Sequence, residues 1–151
     1  MTEKAFEDYL KTHIPIAWEA GVRLQYYSDK SCSIAVTLGR MNQNPFGSMF
    51  WAVEGMAAEF AGGIMLLNKI QDSGISISTL VIDGTMEFYK KAVGTIIFTC
   101  SDGNLIDQQI DLALCSKEAQ TLELTSVGWD EAGDQVARFT FQWSIKVRAE
   151  D

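Results

Sequence analysis

The 151-residue sequence holds a single histidine, His13, two prolines and three cysteines. Each scarcity removes a class of chemistry. His13 stands near the end of the first helical segment and the chain has no Gly-x-Ser-x-Gly elbow, so a Ser-His-Asp or Cys-His hydrolase lacks its base. The residue reads as a surface histidine. Cys32, Cys100 and Cys115 are an odd, widely spaced set without the paired Cys/His spacing of a zinc site, so no metal is expected. A Gly-Lys-Ser/Thr phosphate loop and the acidic spacing of a calcium loop are also missing. Basic charge is scarce too: 12 Lys and Arg face 20 Asp and Glu, a net charge of −8, which excludes a nucleic-acid partner that needs clustered cations.

With Pro15 and Pro45 as the only prolines and no Ser-, Pro- or Gly-rich tract, the sequence offers no linker or repeat, and one domain spanning 1–151 is expected. A hydrophobic content of 47%, with four Trp and eight Phe, is enough to build one substantial core. The opening MTEKAFEDYLKTH lacks the apolar stretch of a signal peptide, so a cytoplasmic protein is expected. Met49 to Leu67 approaches the length of a membrane span. Glu54 and Glu59 interrupt it, however, and no basic or aromatic anchors flank it, so no membrane insertion is expected.

What is present reads as an α+β chain. Ala5, Phe6, Tyr9 and Leu10 recur at helical spacing within Thr2 to His13. Val22 to Tyr27 and Ser31 to Leu38 alternate around the turn Ser28, Asp29, Lys30 and predict a hairpin. A long apolar helix is predicted over Phe46 to Asn68, fading between Gln71 and Gly74. Strands follow at Leu80 to Tyr89, Thr95 to Cys100, Leu122 to Trp129 and Val136 to Val147, with a short helix over Asn104 to Lys117 and a turn at Asp130 to Asp134. This order predicts a largely antiparallel sheet with helices on one face.

A helix apolar on all sides must be surrounded, which points to a curved sheet wrapping it. Its two glutamates then need explaining. Glu54 and Glu59 lie about 140° apart around the axis, so they cannot act at one point. Glu59 is flanked by Gly55, Gly62 and Gly63, a bare surface that serves either close packing or a ligand; Glu54 stands among Phe50, Trp51, Ala57 and Ala58. Glu59 is therefore the first candidate for a base or nucleophile in an apolar cleft, with a carboxylate at the helix edge, solvated or paired with a cation such as Lys90, as the structural alternative, and Glu54 is the reserve.

The segment NQNPFGSMFWAVEGMAAEFAGG resembles hotdog-fold thioesterases, in which an Asn and a Gly-Ser/Thr turn lead into the central helix and an acidic residue follows twelve positions after the Gly. Those positions are Asn44, Gly47, Ser48 and Glu59. TMEFYKKAVGTIIFTC and VARFTFQWSIKVR are similar to the family's later strands. The chain departs from the family where Phe50, Trp51 and Ala52 replace a frequent His-Gly-Gly and Lys91 replaces a Pro, which places it with a subgroup lacking the histidine.

The resemblance implies a hotdog fold, a homodimer or dimer of dimers joined edge to edge, and hydrolysis of an acyl-CoA thioester in a cleft at the dimer interface. It implies Glu59 as base or nucleophile, the amides of Gly47 and Ser48 as oxyanion donors, and Asn44 orienting water or substrate. Coenzyme A enters only as part of the substrate, and no cofactor is implied. Phe46, Phe50, Trp51 and Met56 are the candidates for lining the acyl site. Lys90 and Lys91, with Lys146 and Arg148 on the last strand, are candidates for meeting the coenzyme's phosphates. The missing histidine leaves open a non-catalytic hotdog module that binds an acyl or other apolar ligand, and, third, a hydratase.

Overall fold

The computed structural model describes residues 1–148. Helix α1 (Glu3–His13) starts at Thr2, whose hydroxyl accepts from the Ala5 amide at 3.2 Å, and it buries Phe6 and Leu10. A short α2 (Pro15–Glu19) follows, nucleated by Pro15 in its first turn; the sequence reading had no element here. Strands β1 (Arg23–Tyr27) and β2 (Cys32–Thr37) form the expected hairpin. After α3 (Trp51–Ser73) come β3 (Ile77–Phe88), β4 (Thr95–Cys100), α4 (Gly103–Ser116), β5 (Gln120–Trp129) and β6 (Gln135–Val147).

The strands form one antiparallel sheet in the order β1-β2-β4-β5-β6-β3. The sheet wraps α3, whose residues Ala57, Ala58, Ala61, Ile64, Met65 and Leu66 are buried against it in one hydrophobic core. Three glycines set how closely the helix settles. A Cβ at Gly62 would lie 3.0 Å from Leu124 Cδ1, at Gly63 3.3 Å from the Trp143 ring and at Gly55 3.5 Å from Phe139. The Ser126 hydroxyl donates to the Ala58 carbonyl at 2.6 Å from within the same contact. On the far side of α3, Phe6 meets Phe60 edge to face, and Lys69 ties the helix to Gly103 and Asp107 of α4.

The central helix is displaced from its expected bounds, Phe46 to Asn68. Its start slips to Trp51 because a hydrogen-bonded turn holds the chain from Asn44 to Met49 out of helical geometry. Its end runs on to Ser73, where Gly74 takes the left-handed conformation that closes a helix. Strand β3 also begins earlier than expected, because its pairing with β6 extends to Ile77 opposite Val147. Among the described residues no helix is long and apolar enough to cross a membrane.

Candidate functional site

Asn44 organises the approach to α3. Its Oδ1 accepts from the amides of Phe46 at 2.9 Å and Ser48 at 3.3 Å. Its Nδ2 donates to Ser48 Oγ at 3.0 Å and to the Met49 carbonyl at 3.1 Å. Gly47, at φ 76°, donates its amide to the Asn44 carbonyl at 3.2 Å. The turn is anchored from outside by Met49 N to the Ala92 carbonyl at 2.9 Å and Phe50 N to the Asn42 carbonyl at 2.7 Å. Asn42 is itself buried, bonding Gly39, Ala20 and Thr37.

These bonds revise the expected roles. Asn44 spends its side chain on the turn, and the amides of Gly47 and Ser48, expected to face an oxyanion, are donated to Asn44. The unspent donors lie a few residues further on. Phe50 caps α3 without a side-chain bond, and among the described residues the amides of Trp51 and Ala52 have no acceptor. Unpaired amides at a helix start carry the positive end of its dipole, which suits a developing negative oxygen.

A cleft of ≈ 390 Å³ opens at this helix start, between the turn and the segment following β3. Ser48, Phe50, Trp51, Glu54, Phe88 and Lys91 are among its lining residues, with Asn44 and Lys90. Glu54 is only 4% exposed, and its Oε2 is enclosed without a hydrogen-bond partner among the described residues. Burial pushes its carboxyl up to about 7. Lys90 is held by Asp130 at 2.5 Å and Asp134 at 2.6 Å, so it is not the partner of Glu59 that the sequence left open. Lys91 is exposed, with its ammonium 3.4 Å from the Phe46 carbonyl.

Glu59 lies elsewhere, as do Phe46, Gly47 and Met56: none of these lines the cleft. Phe46 is exposed and Met56 packs partly buried on the core. Gly55, Glu59 and Gly63 form one line along the helix, and Gly55 meets Phe139 while Gly63 meets Trp143. Glu59 lies between those glycines on the helix, as Phe141 lies between those rings on β6. Phe141 pairs with Gly84 of the edge strand β3. The glycines beside Glu59 thus serve packing, since aromatic and leucine side chains occupy the space they leave. Glu59 is half-buried, burial raises its carboxyl, and among the described residues it has no bonded partner. Its charge reaches Tyr9 of α1, whose phenol is raised first by burial and then by Glu59.

Beyond Phe141 the sheet ends in β3, which pairs with β6 alone and exposes Leu80, Ile82, Met86 and Phe88. Phe50 and Trp51, also half-exposed, extend this apolar surface at the helix start.

Residues 3–146 match the family described as "Putative thioesterase (yiiD_Cterm)". Among solved structures the chain is similar to a Pseudomonas aeruginosa protein of unknown function described as a probable thioesterase, at 22% identity and a TM-score of 0.82 over 97% of each chain. It is similar to a Chlorobaculum tepidum protein of unknown function at 18% identity and a TM-score of 0.81, over 97% of this chain and 94% of that one. A Haemophilus influenzae thioesterase gives 11% identity and a TM-score of 0.75 over 99% and 94%. No curated protein matches. At these identities the structural likenesses establish the fold, which is the hotdog fold, a curved antiparallel sheet around a central helix.

Proposed function

We propose that this chain, which belongs to the yiiD C-terminal thioesterase family, hydrolyses an acyl-CoA thioester in clefts formed between two copies of itself, with Glu59 as the base. The observation that carries this reading is a separation. The free amides of Trp51 and Ala52 and the carboxylate of Glu59 lie on one helix, about 12 Å apart along its axis at roughly 1.5 Å per residue. One thioester carbon cannot meet both within a single chain. Two copies related by a two-fold axis beside β3 set the start of one α3 against Glu59 of the other, and the unpaired apolar edge of β3 supplies the surface for that pairing.

In the shared cleft the thioester oxygen sits on the Trp51 and Ala52 amides. Glu59 of the other copy takes a proton from water, whose oxygen attacks the carbonyl carbon. Burial raises its carboxyl, which makes the carboxylate a stronger base. The amides hold the negative oxygen of the tetrahedral intermediate, and its collapse breaks the carbon–sulfur bond. Lys91, without an ion-pair partner among the described residues, meets a phosphate of coenzyme A. Phe50 and Trp51 give the acyl chain an apolar entrance. A cytoplasmic setting fits a coenzyme A substrate and three free cysteines.

A panel of acyl-CoA substrates, with free thiol as readout, tests the reading. The wild type is expected to turn over at least one substrate and Glu59→Gln to lose about a hundredfold or more in kcat. Full activity in that variant removes Glu59 from the chemistry. The half-exposed Phe50, standing where the family often has His, favours a second reading, a module that binds acyl ligands without cleaving them. Saturable acyl-CoA binding without thiol release is its signature.

A further inference from the structure

We propose that Glu54 is a second catalytic carboxyl, the general acid that protonates the departing sulfur of coenzyme A. The assignment rests on the thioester-hydrolysis reading above and adds a role for a carboxyl that the Glu59 mechanism does not use.

Three features converge on it. Glu54 lines the cleft at the start of α3, it is nine-tenths or more buried, and its Oε2 has no hydrogen-bond partner among the described residues. An ionised carboxylate there has little water and no bonded cation to stabilise it. The helix-start dipole favours the ion, but burial outweighs it and raises the carboxyl, so the protonated form, with a hydrogen to donate, is retained toward neutral pH. The charged groups sharing the cleft do not reverse this: Lys90 is taken by Asp130 and Asp134, and Lys91 reaches only the Phe46 carbonyl, with no salt bridge to Glu54 among the described residues. The free helix-start amides complete the arrangement.

The position fixes which atom the proton meets. With the carbonyl oxygen on the Trp51 and Ala52 amides and a phosphate of coenzyme A at Lys91, the sulfur and pantetheine arm run along the part of the cleft between those amides and Lys91. Glu54 lines that path. In the first step water's oxygen bonds to the carbonyl carbon, Glu59 takes the water proton, and the carbonyl electron pair moves onto oxygen. In the second, that pair re-forms the carbonyl, the carbon–sulfur bond breaks, and sulfur takes the bonding pair together with the Glu54 proton. Glu59 is then protonated and Glu54 ionised, and proton exchange through solvent restores both.

A comparison of leaving groups tests the role. The wild type and Glu54→Gln are assayed with an acyl-CoA and with the 4-nitrothiophenyl ester of the same acyl group, whose thiolate departs without a proton. Glu54→Gln is expected to slow the acyl-CoA by about a hundredfold and the aryl ester by less than about threefold. Equal losses on both substrates, or no loss on either, overturn the assignment while leaving the Glu59 reading intact. Failure of the wild type to cleave either ester sinks hydrolysis itself, and this role with it. Should Glu54→Gln not fold, the wild type alone decides: acid assistance predicts a rate nearly independent of the leaving thiol's acidity across a series of thioesters, and a steep dependence overturns it.

Discussion

The side-chain amide of Asn44 donates to the Ser48 hydroxyl at 3.0 Å, and the pair closes the turn that delivers the chain to α3. The same side chain makes three further bonds, to Phe46, Ser48 and Met49. Asn44→Ala removes all of them and is expected to cost about 2 to 3 kcal/mol, at about 1 kcal/mol for each bond that water replaces poorly, lowering the melting temperature by roughly 5 to 10 °C. Thermal melts check this. An unchanged melting temperature with lost activity would return Asn44 to the chemical role first expected of it.

How far the sequence revealed this site follows from where each constraint sits. The curved sheet and its apolar helix were legible because strand alternation and helical composition are local properties, visible from Leu122 to Trp129 or from Ala57 to Leu66. The start of α3 was not, because the bonds holding Phe46, Ser48 and Met49 out of the helix come from the side chain of Asn44, which no periodicity records. The glycines around Glu59 looked like open helix surface. They are filled by Phe139, Trp143 and Leu124, and only the pairing and stacking of β5 and β6 under α3 brings those residues there. Lys90 found its partners, Asp130 and Asp134, in a hairpin forty residues away, again a product of sheet order.

Two of those glycines respond oppositely to alanine. A Cβ at Gly55 meets Phe139 at 3.5 Å, an ordinary contact, so Gly55→Ala gains helix propensity and is expected to stabilise by up to about 1 kcal/mol. At Gly62 the same Cβ lies 3.0 and 3.1 Å from Leu124 and 3.5 Å from Cys100 Sγ, between strands that cannot yield easily. Overpacking there costs about 1 to 3 kcal/mol, outweighing the propensity gain, so Gly62→Ala is expected to destabilise. Urea denaturation of the two variants reads the opposite signs directly.

Burial of Glu54 also predicts how stability varies with pH. The carboxyl rises from 4.5 to about 7 in the folded chain, so between those values the folded state keeps a proton that the unfolded state has released. Stability contributed by this group is therefore complete below about pH 4.5, falls as pH rises, and levels off above about pH 7, a loss on the order of 3 kcal/mol. Glu54→Gln carries no such charge. Its melting temperature should exceed that of the wild type by a margin that widens from pH 5 to pH 8; a constant margin contradicts the buried-acid assignment. Glu59, raised in the same direction, acts equally in both proteins.

The edge strand supplies the last prediction. Leu80 pairs with Ser144 and Met86 with Phe139, on opposite faces of the sheet, and both side chains are exposed where β3 has no outer neighbour. A long apolar edge left bare invites another strand, and lysine is the residue that most effectively discourages it. Leu80→Lys with Met86→Lys should therefore yield a monomer by sedimentation at micromolar concentration while far-ultraviolet circular dichroism keeps the folded signature, because neither residue belongs to the buried core. Thiol release should disappear with the dimer, since the Trp51 and Ala52 amides of one copy then lose Glu59 of the other. Two outcomes separate assembly from chemistry. Retained activity in a monomer means that one chain holds a complete site, which shifts the base to the carboxyl nearest those amides, Glu54. A wild type that sediments as a monomer removes the shared cleft altogether.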